Sequence, residues 1–211
     1  MPMPSLPALI NYSWLHDAQI YYAEFGFKNV NVPWLVTPEI QDITRPRESR
    51  RFQIADSDNS KCFVASAEQS FLYQYAKAAL PLGTFQATTP CMRFENFDSL
   101  HTKYFLKTEL IDTENTTEDR LIEIIEIALS FFGRVFDPKR LSRLQTGHQS
   151  FDIVVDNDSS LELGSYGIRR CPFLTWIYAT GLAEPRASMI AELTLRQDAE
   201  RRAEAARTPQ R

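Results

Sequence analysis

Nowhere do about eighteen apolar residues run together, so no segment reads as a membrane-crossing helix. The N-terminus, MPMPSLPALINYSW, lacks the basic stretch ahead of an apolar core that a secretion signal needs. Cysteine is scarce: Cys62, Cys91 and Cys171 are odd in number, far apart and without a C-x-x-C pair. That pattern argues against a disulfide framework and a finger-type zinc site, and fits a reduced, cytoplasmic protein. Glycine is sparse at seven residues, and neither G-x-x-x-x-G-K-[ST] nor G-x-G-x-x-G occurs, which argues against a glycine-rich phosphate cradle. The three histidines, His16, His101 and His148, form no H-E-x-x-H, and no serine sits in G-x-S-x-G. Metalloprotease and serine-hydrolase chemistry therefore lack their residues.

A strong excess of one charge is missing too. The net charge of -4 and pI near 5.5 argue against a surface built as a footprint for nucleic acid. A local basic cluster does exist, Arg45, Arg47, Arg50 and Arg51, within the loop-like TPEIQDITRPRESRRFQIADSDNSK. It reads either as a solvated loop or as a contact for phosphate or RNA.

At 211 residues the chain is long enough for one sizeable core. We expect a single domain over residues 1–192 and a charged extension over 193–211, where Ala, Glu and Arg leave almost no apolar stripe. SWLHDAQIYYAEFGF predicts a helix capped by Ser13, with Leu15, Ile20, Tyr21 and Phe25 on its apolar face and Gly26 as its stop. KNVNVPWLV alternates like a strand, and Pro33 assigns it to an edge or an interface because proline cannot donate to a ladder. CFVASAEQSFLYQYAKAAL predicts a short strand running into a helix. TFQATTPCMRFE and HTKYFLKTELI predict the arms of a hairpin, rich in Phe, Thr and Tyr at period two. NTTEDRLIEIIEIALSFFGRV is the clearest helix, with a threonine-acid start and Leu121, Ile124, Ile125, Ala128, Leu129 and Phe132 on one face. QSFDIVVDNDSSLELGSYGIRR predicts another hairpin, turning through Asp156 to Ser160, and FLTWIYATGLAEPRASMIAELTL a strand, a glycine turn and a helix. Hairpins with helices interposed predict an α+β fold, an antiparallel sheet flanked by helices.

Against that frame, arginine and carboxylate recur at strand positions: Arg93 with Glu95, then Glu109, Glu162, Arg169 and Arg186. Residues two apart on a strand share a face. A sheet floor of both signs either forms cross-strand ion pairs on a solvated face or holds triphosphate oxygens by forked arginine contacts while its carboxylates hold a cation or an amine.

These residues, in this order, resemble the catalytic core of class II aminoacyl-tRNA synthetases, most nearly the seryl type. FGFKNVNVPWLV is similar to the first motif, a helix feeding a strand that ends in proline, here Pro33. TTPCMRFE followed by HTKYFLKTEL is similar to the second, an arginine-x-glutamate strand, a loop, and a histidine ahead of a phenylalanine. ATGLAEPR resembles the third, a glycine turn opening a helix that carries an arginine; Ala179 stands there in place of the usual glycine. ASAEQ resembles the loop that reads the substrate amine, and SFDIVV with LELGSYGIRR the strand pair that approaches metal and phosphate.

The resemblance covers residues 14–192 and implies an ATP- and magnesium-dependent ligase that activates an amino acid, or a related carboxylate, as an acyl-adenylate. The acceptor would be a tRNA, a carrier protein or a small-molecule amine; the other function it admits is a non-catalytic paralogue that senses a ligand or regulates a partner. It implies roles as well. Arg93 would hold the α-phosphate and the acyl carboxylate, Glu95 the adenine amino group, and His101 the γ-phosphate. Phe105 would stack under the adenine, and Arg186 would cover adenine and γ-phosphate from above. Glu68 would pair with the substrate ammonium and Glu109 would lie near it, while Glu162 and Ser165 would hold magnesium. The resemblance further admits a zinc ion held by Cys91, Cys171 and either Glu109 or Glu68, the alternative being buried, inert cysteines. The first motif implies a homodimer. The short loop Asn96–Leu100 departs from the longer one that synthetases use to touch the end of tRNA.

Overall fold

The computed structural model describes residues 9–45, 50–51, 61–93, 100 and 102–207. Helix α1 (Tyr12–Glu24) opens the fold. Its cap is Asn11, whose side chain accepts from the Trp14 N–H at 3.1 Å, and Ser13 falls inside the helix. Leu15, Ala18, Tyr21 and Tyr22 are its buried residues. Ile20 and Phe25, expected on the apolar face, are 50% and 43% exposed. The two tyrosines account for the difference: their buried hydroxyls donate to the carbonyls of Ile127 and Gly181, and those two anchors set the rotation of the helix.

The run KNVNVPWLV is two strands where alternation suggested one. β1 (Lys28–Asn29) pairs in parallel with β4 (Thr84–Met92), and β2 (Leu35–Val36) pairs antiparallel with β3 (Cys62–Phe63) in a separate ribbon. Pro33 lies in the break, and β1 is an edge strand of the main sheet. Helix α2 (Pro38–Asp42) follows β2, and helix α3 (Ala67–Ala76), capped by Ser66, follows β3.

β4 and β5 (Tyr104–Asp112) form the expected antiparallel hairpin, with Cys91 opposite Phe105 and Ala87 opposite Glu109. Helix α4 (Glu118–Phe132) is capped by Thr117 and buries Leu121, Ile124, Ile125, Ala128 and Phe132, as its periodicity predicts; Leu129 is only partly buried. Next comes β6 (Leu141–Gly147), a strand with no clear alternation in its sequence, then β7 (Ser150–Val155) and β8 (Asp158–Cys171). The β7–β8 turn is tighter than expected. Asp156 and Asn157 both take positive φ, 54° and 56°, as a two-residue hairpin turn requires.

β9 (Leu174–Glu184) runs straight through the segment read as a glycine turn, and α5 (Arg186–Arg207) starts only after Pro185. Gly181 is instead the extra residue of a bulge: Thr108 faces Leu182 while Glu109 faces Thr180. The seven-stranded sheet has the order β1-β4-β5-β9-β8-β7-β6, antiparallel except for β1. Its core under α1 and α4 joins Tyr22, Ile124, Leu110, Ile177 and Tyr166, and a second cluster joins Val36, Phe71, Ala87, Trp176 and Tyr178 beside α2 and α3. Among the described residues no helix is long and apolar enough to cross a membrane.

Candidate active site

The sheet face opposite α1 and α4 carries a cavity of about 400 Å³. Strand alternation supplies its floor: Phe105, Lys107 and Glu109 lie at period two on β5 and all line it. Glu162 and Ser165 line it as well, although three residues apart on a regular strand they would point to opposite faces. A register shift resolves this. Val154 faces Glu162 while Ile153 faces Gly164, so β8 carries one extra residue between the two site positions and both reach the same face. The Gly181 bulge does the same for Thr180 and Ala183 on β9, both of which line the cavity.

Arg93 follows β4, its backbone N–H donating to the Lys103 carbonyl and its Nε to the Ala65 carbonyl, each at 3.1 Å. Its guanidinium lies 5.2 Å from the centre of the Phe105 ring. Arg186, the first residue of α5, reaches Glu162 Oε1 with Nη1 at 3.2 Å. Asp152 stands directly opposite Ser165 on β7 and lines the same cavity; burial, and next the charge of Glu162, raises its carboxyl.

Deeper in, Lys107 Nζ sits 2.8 Å from Glu109 Oε2, and both side chains are almost wholly buried. Lys107 thus pairs with Oε2, while Oε1 has no hydrogen-bond donor among the described residues. Burial pushes the Glu109 carboxyl up, against the pull of Lys107. Glu68 has each oxygen engaged, Oε1 accepting from the Trp176 indole at 2.7 Å and Oε2 from Arg169 Nη1 at 2.5 Å.

The fold thus brings Arg93, Phe105, Arg186, Glu68, Glu109, Glu162 and Ser165 to one cavity. Glu95 and His101 lie outside the described residues, as does Arg47. It does not bring the cysteines together. Cys91 is buried opposite Phe105, with its thiol pushed up to about 11 by burial, whereas Cys171 closes the far end of the β8–β9 ribbon opposite Leu174. Neither lines the cavity, and among the described residues no three His, Cys, Asp or Glu side chains are grouped to hold a metal ion. In the basic cluster, Arg45 and Arg51 both bond Asp42, while Arg45 and Arg50 reach the cavity rim. Sequence reasoning missed Asp152 and Lys107. Each carried a signal: Asp152 is the acid inside the apolar run SFDIVV, and Lys107 shares the period-two face of Phe105 and Glu109.

No protein-family model and no curated protein sequence matches the chain. Solved structures do. The pyrrolysyl-tRNA synthetase of Desulfitobacterium hafniense matches with a TM-score of 0.63 at 18% identity, over 86% of this chain and 69% of its own. The seryl-tRNA synthetase of Pyrococcus horikoshii, solved with ATP, matches with a TM-score of 0.66 at 16% identity, over 85% of this chain. The cytoplasmic serine-tRNA ligase of Naegleria fowleri, solved with AMP, matches with a TM-score of 0.61 at 14% identity, also over 85%. The matched region spans about half of each seryl protein, 49% and 52%. What these proteins and this chain share is a mostly antiparallel sheet flanked by helices, and the chain has the fold of a class II aminoacyl-tRNA synthetase catalytic core.

Proposed function

We propose that the protein is an ATP-dependent ligase that activates an amino acid or a related carboxylate as an acyl-adenylate and passes the acyl group to tRNA, a carrier protein or a small-molecule amine. The observation that carries this reading is the convergence of Arg93, Phe105, Glu162, Ser165 and Arg186 on one cavity, from four separate stretches of chain. A fold shared with proteins solved with ATP and with AMP supports it.

In the reaction a substrate carboxylate oxygen donates its electron pair to the α-phosphorus, and the bond from that phosphorus to the bridging oxygen breaks to release pyrophosphate. No side chain need act as a nucleophile. The barrier is the approach of two anions, and Arg93 lowers it by holding both α-phosphate and carboxylate against one planar cation. Phe105 would offer a flat face for the adenine and Arg186 would cover it; Glu95 and His101 would take the adenine amino group and the γ-phosphate. Glu68, expected at the substrate ammonium, has both oxygens engaged by Trp176 and Arg169, so the ammonium falls to its neighbour in the cavity, Glu109, whose Oε1 has no hydrogen-bond donor among the described residues.

The residues also fit magnesium. Asp152 and Glu162 are neighbouring carboxylates, the Asp152 carboxyl raised by burial and next by the Glu162 charge, and with the Ser165 hydroxyl they offer the oxygen ligands such an ion accepts beside phosphate and water. When bound, magnesium would supply positive charge that offsets the negative charge of the phosphates. A homodimer would use the surface around Pro33, where Trp34 is 54% exposed. A strict monomer in sedimentation at micromolar concentration would overturn that part.

The test is amino-acid-dependent exchange of labelled pyrophosphate into ATP with magnesium, across the standard amino acids. Exchange with one of them is the expected result. ATP binding without exchange for any would select the other reading, a paralogue that senses a ligand through the same cavity. Arg93→Ala is expected to keep the fold and lose exchange by roughly 100- to 1000-fold; near-normal exchange would remove Arg93 from its role.

A further inference from the structure

The adenylate chemistry leaves the inner wall of the cavity, where β8 and β9 meet α3, without a task. Arg169 stands in that wall, with its guanidinium 3.9 Å from the centre of the Tyr178 ring and Nη1 bonded to Glu68. Gly167, opposite Tyr178, makes the arrangement possible, because a Cβ there would lie 2.8 Å from the tyrosine ring. Glu68 is buried and both its oxygens are taken, one by Arg169 and one by Trp176, so its acceptors are spent on holding this wall in place.

A guanidinium carries five N–H donors in one plane. Nη1 is bonded to Glu68 and the ring lies beside the guanidinium; the other donors of Arg169 have no hydrogen-bond partner among the described residues, and its side chain is 38% exposed. Hydroxyls share the wall: Ser150 Oγ and Tyr178 OH lie 3.2 Å apart, and Thr146 lines the cavity beside them. The hydroxyls already bond one another, Thr146 Oγ1 donating to Ser150 Oγ at 3.2 Å, so an apolar or cationic group placed here would leave the Arg169 donors unpaired, whereas a carboxylate or phosphate would accept from more than one of them.

We propose that the substrate carries a second anionic group, a carboxylate or a phosphomonoester, and that Arg169 binds it, positioned by Glu68 and Tyr178. The proposal rests on the adenylate reading for the first anion, the carboxylate at Arg93, and adds the class of side chain.

Calorimetric titration of the full chain, without ATP, with glutamate, glutamine, O-phosphoserine and serine tests it. Glutamate or O-phosphoserine is expected to bind about tenfold or more tightly than its neutral counterpart, and the arm that shows the preference names the anion. Arg169→Ala is expected to abolish the preference. Arg169→Lys keeps a cation beside Glu68 but loses the fork, and is expected to weaken the anionic ligand by roughly tenfold while the protein stays folded. Equal binding of the neutral and anionic ligands, no binding of any, or an undiminished preference in Arg169→Lys would overturn the proposal. Pyrophosphate exchange is read separately: its absence with every amino acid would count against the adenylate reading, while loss of the anion preference would count against Arg169.

Discussion

The two faces of the main sheet are built from the same strands and obey different rules. Under α1 and α4, Leu110, Ile177 and Ala179 meet Ile124, Ile125 and Phe132, and each contact is worth the water it excludes. On the other face, the alternate positions of β5 and β8 place Lys107, Glu109, Ser165 and Arg169 around a cavity. There Lys107 answers Glu109, Arg169 answers Glu68, and Arg186 answers Glu162. The apolar face tolerates exchange of one hydrocarbon for another of like volume, whereas the buried Lys107–Glu109 pair of the charged face is destabilised when either member is removed alone.

Lys107→Met breaks this comparison most severely. It leaves Glu109 buried without its cation, at an expected cost of about 3–5 kcal/mol at neutral pH. Burial already raises Glu109, and removing Lys107 removes the largest opposing influence. For an acid raised in the folded state, the stability is present below the unfolded value and lost as pH rises through the folded one. The deficit of Lys107→Met should therefore shrink as pH falls from 8 toward about 4.5, near the ordinary glutamate range. Urea midpoints at the two pH values measure it, and an equal deficit at both would show that the Lys107 charge is not what Glu109 needs.

Ile124→Ala tests the other face. Ile124 is fully buried in the core under α4, so truncation should cost about 2–5 kcal/mol through lost transfer energy and a cavity. The discriminating feature is the absence of pH dependence over the range in which Lys107→Met varies. A smaller effect comes from Gly167→Ala, where the added methyl meets the Gln149 carbonyl and the Tyr178 ring at 2.8 Å; overpacking of about 1–3 kcal/mol is expected. Because the Tyr178 ring supports Arg169, this variant should also weaken the anionic ligand, and an unchanged affinity would dissociate ring from guanidinium.

The same contrast explains what the sequence could disclose. Helix α4 was legible because Leu121, Ile124, Ile125 and Ala128 repeat at helical spacing, and the β4–β5 hairpin because its apolar and polar residues alternate. The charged cavity was legible only as a set of strand-borne arginines and acids in a familiar order. That Glu162 and Ser165 share a face depends on a register shift against Ile153 and Val154, and such a shift is set by the partner strand. The bulge at Gly181 was misread as a turn for the same reason. β6 escaped notice because LSRLQTG holds only Leu141 and Leu144 as apolar residues, and it pairs on one side only, as an edge. Which cation answers which carboxylate is a matter of side chains far apart in the chain, Glu68 and Arg169 among them, and no local spacing encodes it.

The mildest test concerns how the apolar face begins. Thr117 caps α4, its side chain accepting from the Arg120 N–H at 3.3 Å while its hydroxyl donates to Asn115 at 3.0 Å. Thr117→Ala removes one acceptor from an exposed helix end whose other N–H groups reach water, so the expected cost is about 1 kcal/mol. Thr117→Ser keeps the oxygen and should recover most of it. If most of the stability of α4 comes from the face it buries, Thr117→Ala and Ile124→Ala should add without coupling, since the cap is outside and Ile124 is inside the packed surface. A double variant whose loss exceeds the sum by more than about 0.5 kcal/mol would show that the cap and the packed face stabilise α4 as one unit.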